Sequence, residues 1–164
     1  MLCPRRSRRQ RGQALVEFML SATFILLLTV AVLEMAEFIY TYGVMADAAK
    51  EGVRYAIVHG ANSGSPNGPG TGAKATTPPC TATNRTADSA KTGASVDGIT
   101  AAVTNFAAFS LHSTKSMNVY VCYLDASNSI SSQVEVTVSY QYQPFFFKWP
   151  SVKVFANSNG RIVF

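Results

Sequence analysis

Glu17 is the only charged residue between Gln13 and Leu33, in the run QALVEFMLSATFILLLTVAVL. A carboxylate one turn inside an apolar helix costs roughly 3 kcal/mol unless it lies shallow or meets a cation. It stands five residues after Gly12. Cutting the chain after Gly12 would create an α-amine on Gln13, a positive charge one turn from Glu17 or from the same carboxylate of a packed neighbour. Helix dipole and ammonium would both favour the ionised acid there. Two readings stay open: a helix-start acid at headgroup depth, or a charge with a function that depends on proteolysis.

Other chemistry has little to stand on. His59 and His112 have no acid or nucleophile motif beside them and read as surface or helix-end residues. The acids are scattered, with no paired-carboxylate or zinc-binding pattern. Gly64, Gly68, Gly70 and Gly72 lie in a glycine-rich stretch, but no apolar strand precedes it, no helix opens after it and no Gly-Lys-Ser/Thr follows, so a phosphate cradle is rejected. Catalytic, cofactor and metal sites are all expected to be absent, and the chain is not expected to be an enzyme.

The element that must position Glu17 is a membrane helix. About 20 apolar residues at ~1.5 Å each cross the ~30 Å hydrocarbon layer. Arg5, Arg6, Arg8, Arg9 and Arg11 crowd its N-terminal end, whereas Glu34 and Glu37 follow it, so the positive-inside bias holds the N-terminus in the cytoplasm and exports the rest. No small-residue cleavage site stands out behind Leu33, so an ordinary secretory signal is a poor fit and the chain should stay anchored.

The basic pI is local. Five of the fourteen Lys and Arg precede Gln13 and none of the nine Asp and Glu does, which leaves nine cations against nine anions in the remainder. A nucleic-acid partner is therefore not expected. Cys3 falls in the cytoplasmic leader, while Cys80 and Cys122 would both be exported, where one disulfide can form and persist. Two free thiols are the alternative.

Beyond Leu33 the helical pattern continues. Phe38, Tyr42, Met45, Ala49, Gly52 and Ala56 recur at helical spacing, with Gly43, Asp47, Lys50, Glu51 and Arg54 opposite, so one helix is expected from about Gln13 to Val58. Its small residues permit close packing, against the domain's own core or against another subunit. The charges form a solvated face.

These residues resemble the TadE-like pseudopilins of the tight-adherence (Flp) pilus system. The likeness rests on Arg11-Gly12, Val16-Glu17-Phe18, the apolar run, Glu34, Phe38, Tyr40 and the stretch from Ala48 to Tyr55. It implies cleavage between Gly12 and Gln13 by a prepilin peptidase and an assembly role for Glu17. Phe18, Phe38, Tyr42, Ala49 and Gly52 are then expected in helix packing. The implied partners are other pilin and pseudopilin subunits, the inner-membrane pilus assembly platform and the lipid bilayer. Two features depart from the family's pattern: Ser21-Ala22-Thr23 stands where an early proline is usual, and Glu34-Met35-Ala36 replaces Glu-Phe-Gly.

The remaining chain reads as one small α+β domain of pilin-like shape. The expected division is a leader at 1–12, a membrane-spanning part of the helix at 13–36, its exported part at 37–59, a Gly/Pro/Ser/Thr-rich exposed loop at 60–94, and a helix plus antiparallel sheet at 95–164. Val96, Ile99, Val103, Phe106 and Ala107 predict a second helix, capped by Ser95 or Asp97 and ending near Phe109. Alternation predicts strands around Val119–Tyr123, Val134–Tyr140 and Val152–Ala156, with Asn157–Gly160 as a turn before Arg161–Phe164, three or four antiparallel strands in all. Phe145, Phe146, Phe147 and Trp149 sit between Pro144 and Pro150, either as a contact surface for subunits or lipid, or as a plug over the core.

Together these features describe a minor pilin or pseudopilin in a bacterial inner membrane, single-pass, with its C-terminal domain periplasmic or extracellular and pilus-associated after processing. The alternative is an unprocessed, signal-anchored binding domain, an adhesin or sensor, whose helix is a tether.

Overall fold

The computed structural model describes residues 7–68, 97–111, 113–125, 127–144 and 150–164. Helix α1 spans Ser7–Val58. At 52 residues it is ~78 Å long, and it runs unbroken because no proline lies between Pro4 and Pro66. It stops at His59, whose Nδ1 bonds the Tyr55 carbonyl at 2.9 Å while its ring stacks on Tyr55.

The first half of α1 is uncovered. Leu15, Phe18, Leu20, Phe24, Ile25 and Leu28 are all more than half exposed. Thr23 and Thr29 bond their hydroxyls to the Met19 and Leu26 carbonyls, so neither leaves an unpaired donor among the apolar side chains.

The second half carries the domain. Met45, Ala48, Ala49 and Ala56 are fully buried, and Gly52 lies where a Cβ would meet Val103, Val136 and Ile99. Helix α2, Asp97–Ala108, packs antiparallel to this half: Gly98 lies against Tyr55 and Val103 against Gly52. Both helices cover one face of a three-stranded antiparallel sheet of order β1-β2-β3, formed by Met117–Tyr123, Gln133–Tyr142 and Val152–Arg161. Val121, Val134, Val136, Val138, Val154 and Ala156 close the core from the sheet side. This is the α+β architecture expected from the sequence.

Three details differ. Asn157–Gly160 is not a turn, and there is no fourth strand among the described residues; the segment continues β3, pairing Thr137 with Asn157 and Val134 with Gly160. Polar residues are tolerated there because Asn157 Nδ2 donates to Glu135 Oε1 at 3.3 Å, and glycine is needed because a Cβ on Gly160 would lie 2.6 Å from Val53 Cγ1. Glu135 and Ser139, on the polar face of β2, are nevertheless buried, since β2 is the central strand. Finally, the loop that begins at Gly60 is anchored to the domain at Gly60 and Asn67, while Asn62, Gly64, Ser65 and Pro66 are exposed. Asn67 is buried, its N–H donates to the His59 carbonyl at 2.7 Å, and its own carbonyl accepts from Tyr123 Oη and Asn128 Nδ2, both at 3.1 Å. Gly68 takes φ +99 against the Tyr123 ring, where any side chain would clash. The rest of that loop lies outside the described residues.

The topology sorts the connections into two ends. Ser110, Leu111, Ser113, Lys115, Ser116 and Gln143 lie beside Glu37, Tyr40 and Thr41 of α1. Ala61, Asn67 and Asn128 gather at the far end, where Ala61 N–H bonds the Asn128 carbonyl, Val163 N–H the Ile57 carbonyl and Ile162 N–H the Ser132 carbonyl.

Candidate functional site: the exposed helix and its junction with the domain

Gly12, Gln13, Glu17 and Phe18 all lie within α1 and are exposed, Phe18 at 69%. Gly12 has nothing within 4 Å of the position a Cβ would take, so the backbone there is open to approach. Glu17 has no cationic partner among the described residues. It therefore projects from an uncovered apolar helix four residues from Gln13, a separation of ~6 Å along the axis.

The residues expected in helix packing divide by depth. Ala49 and Gly52 are buried in the domain's own core. Phe38 and Tyr42 are only partly covered, with Tyr42 half exposed, and Phe18 is open. Periodicity put Phe38, Tyr42, Ala49 and Gly52 on one stripe, and the resemblance added Phe18, but buried positions on α1 begin only at Thr41. Before that level Phe38 meets the Tyr142 ring, while Phe18 lies open.

At the boundary between the two halves, Tyr142 bonds α1. Its O–H donates to Glu34 Oε2 at 3.1 Å, and its ring meets Phe38 edge-on with centroids 5.4 Å apart. Burial, and after it the hydrogen bond and negative charge of Glu34 with the charges of Glu37 and Tyr140, push the Tyr142 phenol up to about 12. The sequence reading assigned no role to Tyr142. The signal was present, because extending the Val134, Val136, Val138, Tyr140 alternation by one step puts Tyr142 on the inward face, but nothing in the sequence said which part of α1 it would meet.

Cys122 is disulfide-bonded. Its expected partner Cys80, the aromatic cluster Phe145, Phe146, Phe147 and Trp149, and His112 lie outside the described residues. His59 is a helix-end residue stacked on Tyr55. No group of metal-ligating side chains occurs among the described residues.

Residues 12–54 match the family model described as TadE-like protein. This segment is TadE-like. The match opens at Gly12 and ends within the packed half of α1, so it takes in Glu17, Glu34 and the small residues of the core but neither α2 nor the sheet. The match covers about a quarter of the chain and likens this segment to proteins of the tight-adherence (Flp) pilus system. The one long apolar helix among the described residues is compatible with a single-pass membrane anchor. No curated protein and no solved structure matches the chain.

Proposed function

We propose that this TadE-like protein is a minor pilin or pseudopilin, cut between Gly12 and Gln13 by a prepilin peptidase and used to assemble a tight-adherence pilus or a related secretion machine. The observation that carries this reading is Glu17, a carboxylate with no cation beside it among the described residues, on an otherwise uncovered apolar helix and one turn from the residue whose amine the cut would free. The chain inserts with its arginines in the cytoplasm of a bacterium and its domain beyond the inner membrane. Cleavage frees the Gln13 amine. On extraction into a helical bundle, Glu17 of one subunit pairs with the Gln13 amine of another, and lateral contacts through Phe18 and the open flank that includes Phe38 and Tyr42 replace contacts with lipid.

The domain's part is to hold that helix and present the subunit to its neighbours and to the assembly platform. Cys122 pairs with Cys80 in this reading, which ties the segment after Gly68 to β1; a non-reducing peptide map would show the two in one cross-linked fragment.

Intact mass of the protein extracted from membranes tests the proposal. A mature chain beginning at Gln13 is the expected result. A chain that keeps its arginine leader sinks the pilin role and leaves a tethered binding domain.

A further inference from the structure

A cavity of about 600 Å³ opens where α1, Ser110, Leu111, Ser113, Lys115, Ser116 and the end of β2 meet. We propose that it holds the headgroup of an aminophospholipid, with the phosphate on Lys115 and the primary ammonium on Glu37. The inference rests on the anchoring of α1 in a bilayer and not on cleavage after Gly12.

Depth identifies the occupant. The apolar run of α1 ends at Leu33, and the cavity is lined by Glu37, Tyr40 and Thr41, which lie ~6–12 Å further along a helix rising ~1.5 Å per residue. The polar layer outside the hydrocarbon is ~5–8 Å thick on each side. The cavity therefore opens where phosphates and headgroup amines are concentrated. The bond from Tyr142 to Glu34 fixes β2, and with it this end of the domain, at that level.

The lining matches a zwitterion. Lys115 is its cation and Glu37 its anion, both exposed, and Ser110, Ser116 and Gln143 add neutral hydrogen-bonding groups. A carboxylate accepts hydrogen bonds from a primary ammonium but receives none from a quaternary one, and the phosphoglycerol headgroup, anionic through its phosphate alone, has no cation to offer. Phosphatidylethanolamine meets both charges. Phosphatidylcholine and phosphatidylglycerol each meet one.

A second feature places the same end against lipid. Phe109, at the end of α2 beside Ser110, is 92% exposed, the most open of the large apolar side chains among the described residues. In water such a ring gains nothing, whereas at a membrane surface it enters the interface.

The test uses the full chain in lipid nanodiscs of phosphatidylcholine containing one minor lipid, either phosphatidylethanolamine or phosphatidylglycerol, with bound lipid counted by native mass spectrometry. Charge-assisted hydrogen bonds to a headgroup predict that phosphatidylethanolamine is retained about tenfold above its share of the disc. Lys115→Gln and Glu37→Gln, at exposed positions outside the core, should each return it to that share. Retention of phosphatidylglycerol equal to that of phosphatidylethanolamine, or enrichment untouched by either variant, overturns the assignment. O-phosphoethanolamine or inorganic phosphate, added free to discs of phosphatidylcholine alone, should leave no adduct; an adduct lost in Lys115→Gln would assign the cavity to a soluble phosphate instead. Recovery of the chain in the discs checks the anchor separately from the headgroup preference, and both checks are indifferent to whether the leader has been removed.

Discussion

The Tyr142 hydroxyl, at the end of β2, donates to Oε2 of Glu34 across 3.1 Å, joining residues 108 apart in sequence at the point where the apolar run of α1 ends. The edge-on contact of the same ring with Phe38 adds a second attachment one turn further along. An α1 that left its domain free to swing would transmit little of the domain's position to a helical bundle. Two attachments at the junction make the helix and the sheet move as one piece.

Tyr142→Phe keeps the ring against Phe38 and removes only the donor. Loss of a hydrogen bond to a charged acceptor at a partly covered site should cost about 1–2 kcal/mol in denaturant unfolding of the detergent-solubilised chain. In a double-mutant cycle with Glu34→Gln, a coupling energy of about 1 kcal/mol is expected between the two positions. A coupling indistinguishable from zero would mean that the contact contributes nothing to holding the domain in place.

Alkaline pH should loosen the same protein at both ends. Tyr123 is pushed up to about 12 by burial, and Tyr142 to about 12 by burial together with Glu34. Because the folded values lie above the ordinary 10, the folded state holds protons that the unfolded state has released. Their stabilisation is complete below pH 10 and is lost as pH rises toward 12. For Tyr123 this amounts to roughly 1 kcal/mol by pH 11. The denaturant midpoint should therefore fall between pH 10 and pH 11, and Tyr142→Phe should flatten the decline. A midpoint constant over that interval would contradict the burial of these phenols.

Much of this architecture was legible in the sequence because it rests on local periodicity. The proline-free run lets α1 continue unbroken, and the spacing of Ile99, Val103 and Ala107 and the alternation of Val134, Val136 and Val138 each reflect a single element burying one face. What the sequence did not show depends on how elements meet. Asn157-Ser158-Asn159-Gly160 has the composition of a turn, yet it remains extended because β2 pairs with it throughout and Gly160 leaves room for Val53 and Ile57. Asn67 reads as a loop residue, yet its carbonyl serves as acceptor for Tyr123 and Asn128, which approach from 56 and 61 residues away. Glu17 stood out from residue type alone, since one acid in an apolar run is conspicuous before any fold is known. The contact of Tyr142 with Glu34 required the sheet's placement on α1, which no spacing encodes.

Gly52 marks the closest approach of α1 to the layer beneath it. A Cβ there would lie 2.5 Å from Val103 Cγ2 and 3.1 Å from Val136 Cγ1, both on short branched side chains that cannot swing aside. Alanine in a helix gains about 1 kcal/mol over glycine, while overpacking a core costs about 1–3 kcal/mol. The second effect should win, so that Gly52→Ala is destabilising by about 1 kcal/mol in chemical denaturation. Adding Val103→Ala opens the space that the new methyl needs. If the pair loses less than the sum of its parts, the two helices meet at this glycine as described; strict additivity would remove that contact.

Glu17 separates membrane insertion from assembly. In the monomer its carboxylate projects from an uncovered helix and touches no cation, so Glu17→Ala should insert at least as well as the parent chain and fold its domain unchanged. In a bundle of mature subunits the variant leaves the Gln13 ammonium of a neighbour without its counter-charge in a medium of low dielectric, a loss that falls only on the assembled state. Pilus yield should therefore drop sharply while the amount of processed, membrane-bound subunit holds steady. Glu17→Asp, which keeps the charge but shortens its reach by one methylene, should fall between the two. Normal pili from Glu17→Ala would show that the acid serves only as a helix-start residue at headgroup depth, and the pairing with the Gln13 amine would have to be given up.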